Sequence, residues 1–239
     1  GPGGTLSGIP NTYYPGTVSV AAGATSITLG QGQPAGATAI NIGDLVLVIQ
    51  MQDAQINSTN TDCYGAGAGC QNTIGGNGPG AGAIAGTVNA GKYEFVRATN
   101  GVVLGGGILT LAGAGGGGLV NSYTDANATA TKGQARFQVV RGLEFTSATL
   151  SSVTPVTAAA WTTDANGRGT GGILALDVAG TLTMGSGVLA SVDGLGFRGA
   201  AGRQLTGEGG TCSAPAITPN GQDWRGPTGT GSADPCDTH

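Results

Sequence analysis

The sequence predicts an all-β chain, in which a β-sandwich-like or capping section leads into a Gly-rich parallel β-helix with long loops and almost no helix. Three observations carry this expectation. Gly fills 49 of the 239 positions, against a usual share of roughly 7%. Charged residues are only 9%, against about 25% in ordinary domains. Short aliphatic runs that alternate with small or polar residues recur along the chain and end at Gly, Asn or Asp, the pattern of strands separated by turns. Gly and β-branched residues both disfavour helix. Disorder does not fit, because 39% of residues are hydrophobic and the net charge is only −4, whereas disordered chains join low hydrophobicity to high charge.

The elements follow in order. Thr17–Val20 and Thr25–Leu29 alternate, with the turn Ala22-Gly23-Ala24 between them. Ala39–Ile42 alternates and runs into the turn signal Gly43-Asp44. Leu45–Met51 is nearly all apolar and reads as a strand buried on both faces. Tyr93–Arg97 alternates again. Gly75–Gly82 reads as a loop, and Gly105-Gly106-Gly107 as a tight turn between strands. Arg136–Val140 and Ser147–Val153 follow. Then come Gly171–Gly180, Thr181–Met184 and Val188–Asp193, each closed by Gly. Their spacing suits successive rungs of a solenoid. The division expected is residues 1–155 as the β-rich capping section and 156–239 as rungs with a Gly/Pro-rich terminal loop. A solenoid end needs a cover, and no apolar segment closes the fold after residue 199, so the chain reads as a fragment of a longer protein or as one covered by a partner.

Composition narrows the function classes. The seven Arg are scattered, and phosphate binding needs clustered cations, so nucleic acid is not an expected partner. The longest apolar run, Leu45–Ile49, is too short to span a bilayer as a helix, and no transmembrane segment is expected. No signal-like run opens the sequence, which is read as a mature or trimmed form. Four Cys allow three pairings; their placement around tight Gly-rich loops favours Cys63–Cys70 and Cys212–Cys236 disulfides, and with them an oxidising, extracellular setting.

Five segments carry a resemblance: NTYYPGTVSVAAGATSITLG, IGDLVLVIQMQDAQINSTNTD, GKYEFVRATN, KGQARFQVVR and GGILALDVAGTLTMGSGVLASVDGLGFRGAAGRQLTG. Together they resemble the N-terminal region of large secreted bacterial surface proteins, in which a Gly-rich β-helical part is followed by repeated Ig-like modules. The resemblance implies export, a cell-surface or extracellular location, and a structural or adhesive role. It transfers no catalytic residue.

Several groups of residues offer candidate chemistry. Asp53, Asn57, Asn60 and Asp62 present oxygen ligands at spacings that suit calcium, although the plainer reading is a solvated loop whose side chains cap the backbone. Asp177 and Asp193, in what read as successive rungs, with Asp164, Arg198 and Arg203 nearby in sequence, form the one constellation that would suit a pectate-lyase-like solenoid enzyme; the plainer reading is strand-end carboxylates bonded to backbone amides. The only His is His239 and no GxSxG elbow occurs, so a hydrolytic triad is not expected. Trp224 is the candidate glycan platform, whereas Trp161 reads as a core plug. The arm Gly1–Tyr14, with Tyr13 and Tyr14, is the candidate for adding a strand to a neighbouring copy. The expected function is therefore a non-enzymatic structural or adhesive surface protein that associates with copies of itself and with glycans or cell-surface components. A polysaccharide-binding module or solenoid lyase is the alternative, and calcium is the one cofactor in view.

Overall fold

The computed structural model describes residues 3–56, 84–127, 133–151, 153–187 and 190–197. Within them the chain is nearly all β. The strands are β1 (Gly4–Leu6), β2 (Thr12–Pro15), β3 (Ser26–Leu29), β4 (Leu45–Gln52), β5 (Ala54–Ile56), β6 (Ile84–Val88), β7 (Tyr93–Ala98), β8 (Gly107–Ala112) and β9 (Arg136–Arg141). They continue with β10 (Leu143–Phe145), β11 (Ala148–Leu150), β12 (Val156–Thr157), β13 (Thr162–Thr163), β14 (Gly169–Thr170), β15 (Leu176–Val178), β16 (Leu182–Thr183) and β17 (Ala190–Ser191). The helical content of the described residues is one 3₁₀ turn at Ala114–Gly116.

Six strands form one antiparallel sheet in the order β2-β9-β4-β7-β8-β3, curled into a half-barrel. Its edge strands approach where Gly30 N–H donates to the Pro15 carbonyl at 2.9 Å. The concave face packs Tyr14, Ile27, Leu29, Val46, Val48, Val96, Leu109, Phe137 and Val139 into the main core. This follows from the period-2 alternation of side chains along a strand, seen most clearly in β7 and β3. β4 is different: Val46 and Val48 face the concave core, while Leu47 joins a second cluster on the convex side. The expected burial on both faces is therefore met. Gly106 completes the turn into β8 at φ 89°, where an added Cβ would lie 2.6 Å from the Leu29 and Gly30 carbonyls, so only Gly fits.

The second region is a stack of short parallel strands against the convex face. β10 pairs with β15, β11 with β16 and β12 with β17, all parallel, in the registers Leu143↔Leu176, Ala148↔Leu182 and Val156↔Ala190. The offset is 33 or 34 residues in all three of these pairs. β1 lies on the other side of β11, with Gly4 opposite Ala148, and Gly8 bridges Val156. Leu6, Ala148, Leu150 and Val156 form a small core, lined by Leu143, Phe145, Leu176 and Val178.

Several sequence expectations are corrected here. The segments 171–180, 181–184 and 188–193 are not successive rungs stacked on one another. They are consecutive sides of one layer, each paired with the segment 33 or 34 residues earlier. A local hairpin of such short strands does occur, β13 with β14, but these three segments find their partners farther back along the chain. The parallel stack also draws on residues either side of position 155, because β1, β10 and β11 belong to it. The first section is a single curled sheet, and the stack covers its convex side. Thr17–Val20 and Ala39–Ile42 each contribute one bridge, at Val20↔Tyr123 and Ile40↔Val102, and no strand.

Candidate functional site

The joint between the two regions is built from side-chain amides that imitate a strand edge. Asn11, fully buried, donates to the Ala175 carbonyl at 2.7 Å and accepts from the Ala175 N–H at 3.0 Å. Gln138 on β9 does the same to Gly171, at 3.0 and 2.9 Å. The Tyr13 hydroxyl donates to the Ile173 carbonyl at 2.7 Å and accepts from the Ala159 N–H at 3.3 Å. Burial pushes the Tyr13 phenol up to about 12, against the small opposing pull of the Ala159 bond. Each of these bonds satisfies a backbone group that the short parallel strands leave unpaired. Around them Leu47, Val140, Ala158 and Ala175 exclude water.

At the far end of the half-barrel, Gln50 makes a third such lock on Thr124, accepting its N–H and donating to its carbonyl, both at 2.8 Å. Next to it lies a buried ion cluster. Asp125 meets Arg136 at 3.2 Å and Arg168 at 3.0 Å, with side-chain exposures of 7%, 3% and 23%. Burial lowers the Arg136 pKa, and the Asp125 charge opposes that shift. Glu94 accepts from the N–H groups of Val120 and Asn121 and from the Tyr123 hydroxyl. These groups pin the segment 118–127 over the mouth of the concave core, a structural task. None of these roles is expected from the sequence. The one signal that could have found them was a Gln or Arg placed inside an otherwise apolar strand run.

The acids singled out from sequence separate. Asp53 caps the turn after β6: its carboxylate accepts from Asn89 Nδ2 at 2.8 Å and its carbonyl from Asn89 N–H at 2.8 Å. Its proposed companions Asn57, Asn60 and Asp62 lie outside the described residues, as do Cys63, Cys70, Cys212, Cys236, Trp224, Arg198 and Arg203. Asp164 Oδ1 accepts from Asn166 and Arg168 N–H at 2.8 and 2.9 Å and caps a turn. Asp177 and Asp193 do not stack. Asp177 sits opposite Glu144 across β10 and β15, and Asp193 lies just past β17. Glu144 is paired with Arg97; that hydrogen bond, ahead of the charges of Glu144 and Asp177, raises the Arg97 pKa. Among the described residues no three His, Cys, Asp or Glu side chains come together as a metal site.

Trp161 is half-buried, packed on Gly169 and edge-on to Phe197 at 5.2 Å between ring centres. Tyr13 and Tyr14 have no exposure and lie in β2, paired with β9 of their own sheet. The arm reading is corrected accordingly: these rings are core, because the strand that carries them already has its partner. What the surface does present is of two kinds. Thr5, Thr149 and Thr183 stand opposite one another on the outward side of β1, β11 and β16, all exposed. Tyr93 and Phe95, exposed by 60% and 46%, meet edge to face at 6.3 Å on the convex side of β7, beyond the cover of the stack.

No family model, curated protein or solved structure matches this chain.

Proposed function

We propose that this chain is a non-enzymatic structural or adhesive protein of the bacterial cell surface or extracellular space, and that its parallel layers form a β-helix. The observation that carries this reading is the constant 33–34-residue offset between parallel partners, at three separate places. A common offset along three segments is what one turn of a wound chain laid on the previous turn produces, whereas β1 lies on the stack at a far larger offset because the half-barrel sequence intervenes. The neutral Thr column supports a role in contact rather than chemistry. So do the dispersed acids: Asp53 and Asp164 cap turns, Asp125 and Glu144 pair with Arg, and Asp177 on β15 and Asp193 past β17 share no strand. The resemblance to the N-terminal regions of secreted surface proteins points the same way. Antibody labelling of intact producing cells, with loss of label on brief external proteolysis, tests the location. Adhesion of cells with and without the gene tests the role. Turnover of an acidic polysaccharide, dependent on Asp177 and Asp193, is the result that overturns the non-enzymatic reading.

One observation favours a second reading, a glycan-binding module. An exposed aromatic pair such as Tyr93–Phe95 offers ring faces to sugars, and it lies in the described part of the chain, unlike Trp224. Glycan-array binding that is lost in the Tyr93→Ala/Phe95→Ala variant supports it.

A further inference from the structure

We propose that the two ends of the parallel stack are complementary binding edges, and that the β16 end receives the β1 end of a second copy of this chain. This rests on the β-helix reading above. Ala148 sits opposite Leu182 and donates its N–H to the Thr181 carbonyl at 3.0 Å. Backbone groups alternate in direction along a strand, so the N–H and C=O of Leu182 face away from β11. Among the described strands none pairs with that side. At the opposite end, Gly4 N–H donates to the Ser147 carbonyl at 3.2 Å, and the Leu6 carbonyl accepts from Ser151 N–H at 2.9 Å. Gly4 and Leu6 therefore face β11, and the N–H and C=O of Thr5 face out, again with no described strand beside them.

The two edges match. Inside one chain the register runs Gly4↔Ala148↔Leu182. Setting Leu182 opposite Gly4 of the second copy repeats the same step, with Leu182 accepting from the outward N–H of Thr5 of that copy. The apolar side chains fit the same register. Leu182, 42% exposed, meets a residue without a side chain, and Met184, 63% exposed, falls under Leu6 of the second copy. Thr183 meets Thr5 of the second copy and extends the Thr column. The bridge Gly8↔Val156 and the pair Val156↔Ala190 continue in the same way, with Gly8 of the second copy beside Ala190. A single contact satisfies both open edges at once, whereas a cover drawn from the chain's own sequence satisfies one. Unpaired edges of this kind template further strands, and a contact between unlike ends, repeated without a rotation that closes a ring, builds an open head-to-tail row.

The experiment is a complementation by mass. Full-length protein is followed by multi-angle light scattering across a wide concentration range, beside Thr5→Pro, which deletes the outward N–H of the β1 edge, and Leu182→Lys, which charges the β16 end. We expect the parent chain to grow in mass with concentration and each variant alone to stay at the mass of one chain. Their equimolar mixture should reach the mass of two chains and no further, since one good end of each kind remains. Circular dichroism of each variant confirms that it folds, and hydrogen exchange gives a second readout that needs no variant. The Leu182 amide should be protected at high concentration and lose that protection on dilution. A parent chain that is monomeric throughout overturns the proposal, as does a Leu182 amide protected equally at all concentrations, which would mean that the chain covers its own edge. Either outcome leaves the β-helix reading standing, because intrachain protection of the Ala148 and Thr183 amides tests that separately.

Discussion

The half-barrel and the parallel stack solve the same problem, hiding apolar side chains with very little charge, in opposite ways. The half-barrel uses strands of four to eight residues whose alternation builds one large core. The stack uses strands of two or three residues, and its small core has Leu6, Ala148, Leu150 and Val156 as its buried members. A strand that short gains little from its own burial, so the stack is held by neighbours: the parallel partners and the convex sheet. The difference teaches where stability resides. The sheet carries its own, and the stack borrows from the sheet through Asn11, Tyr13 and Gln138.

That comparison can be broken at graded strength. The largest effect should come from Phe137→Ala. Phe137 is fully buried beside the Tyr123 ring, 5.7 Å away, and truncating such a side chain costs about 3–5 kcal/mol. Denaturant unfolding should show both regions lost together, since the stack has nothing to rest on. Gln138→Ala should cost about 2–4 kcal/mol, because the Gly171 N–H and C=O are both left buried without a partner. Here hydrogen exchange should separate the regions: amides of residues 171–178 lose protection while those of β4 and β7 keep theirs. If β4 opens equally, the two regions are one cooperative unit and the comparison fails.

High pH sharpens it. The Tyr13 phenol titrates near 10 in an unfolded chain and is pushed up to about 12 here by burial. A raised folded value means that the contribution is complete below pH 10 and is lost as pH climbs through 12. About 2–3 kcal/mol should disappear across that window. Burial raises Tyr14 and Tyr123 in the same direction. Unfolding midpoints of the parent and of Tyr13→Phe, measured from pH 8 to 12, should converge as the parent loses this contribution. The smallest effect belongs to Glu144→Gln. The Arg97–Glu144 pair is half-open to water, with side-chain exposures of 51% and 26%, and such pairs contribute below about 1 kcal/mol. A larger loss would show that the joint is ionic rather than held by amides.

The half-barrel was legible and the stack only partly so, for a physical reason. Leu45–Met51, Tyr93–Arg97 and Arg136–Val140 announce themselves because a long strand repeats its period several times within one window. Val156-Thr157 and Ala190-Ser191 carry no period at all, and only their partners 34 positions away make them strands. The Gly-closed runs after residue 171 gave away the presence of short strands, and not which of them touch. Tyr13 and Tyr14 misled for a related reason. Read locally, they sit in a Gly/Pro-flanked arm; their burial depends on β9, far along the chain. The amide locks at Asn11, Gln50 and Gln138 were hidden because a polar residue in a strand reads as outward-facing until the backbone it serves is in place.

The placement of β1 and β2 has a consequence in time. Gly4 finds its partner at Ala148, and Thr12 finds its partner at Arg141. Until residues 138–150 have been made, β1 and β2 lack these partners, although Tyr13 and Pro15 can already bond Gln33 and Gly30. Contacts so distant in sequence form slowly. The sheet and the stack are therefore both completed by contacts between residues 4–15 and residues 138–150, the ones that must form last.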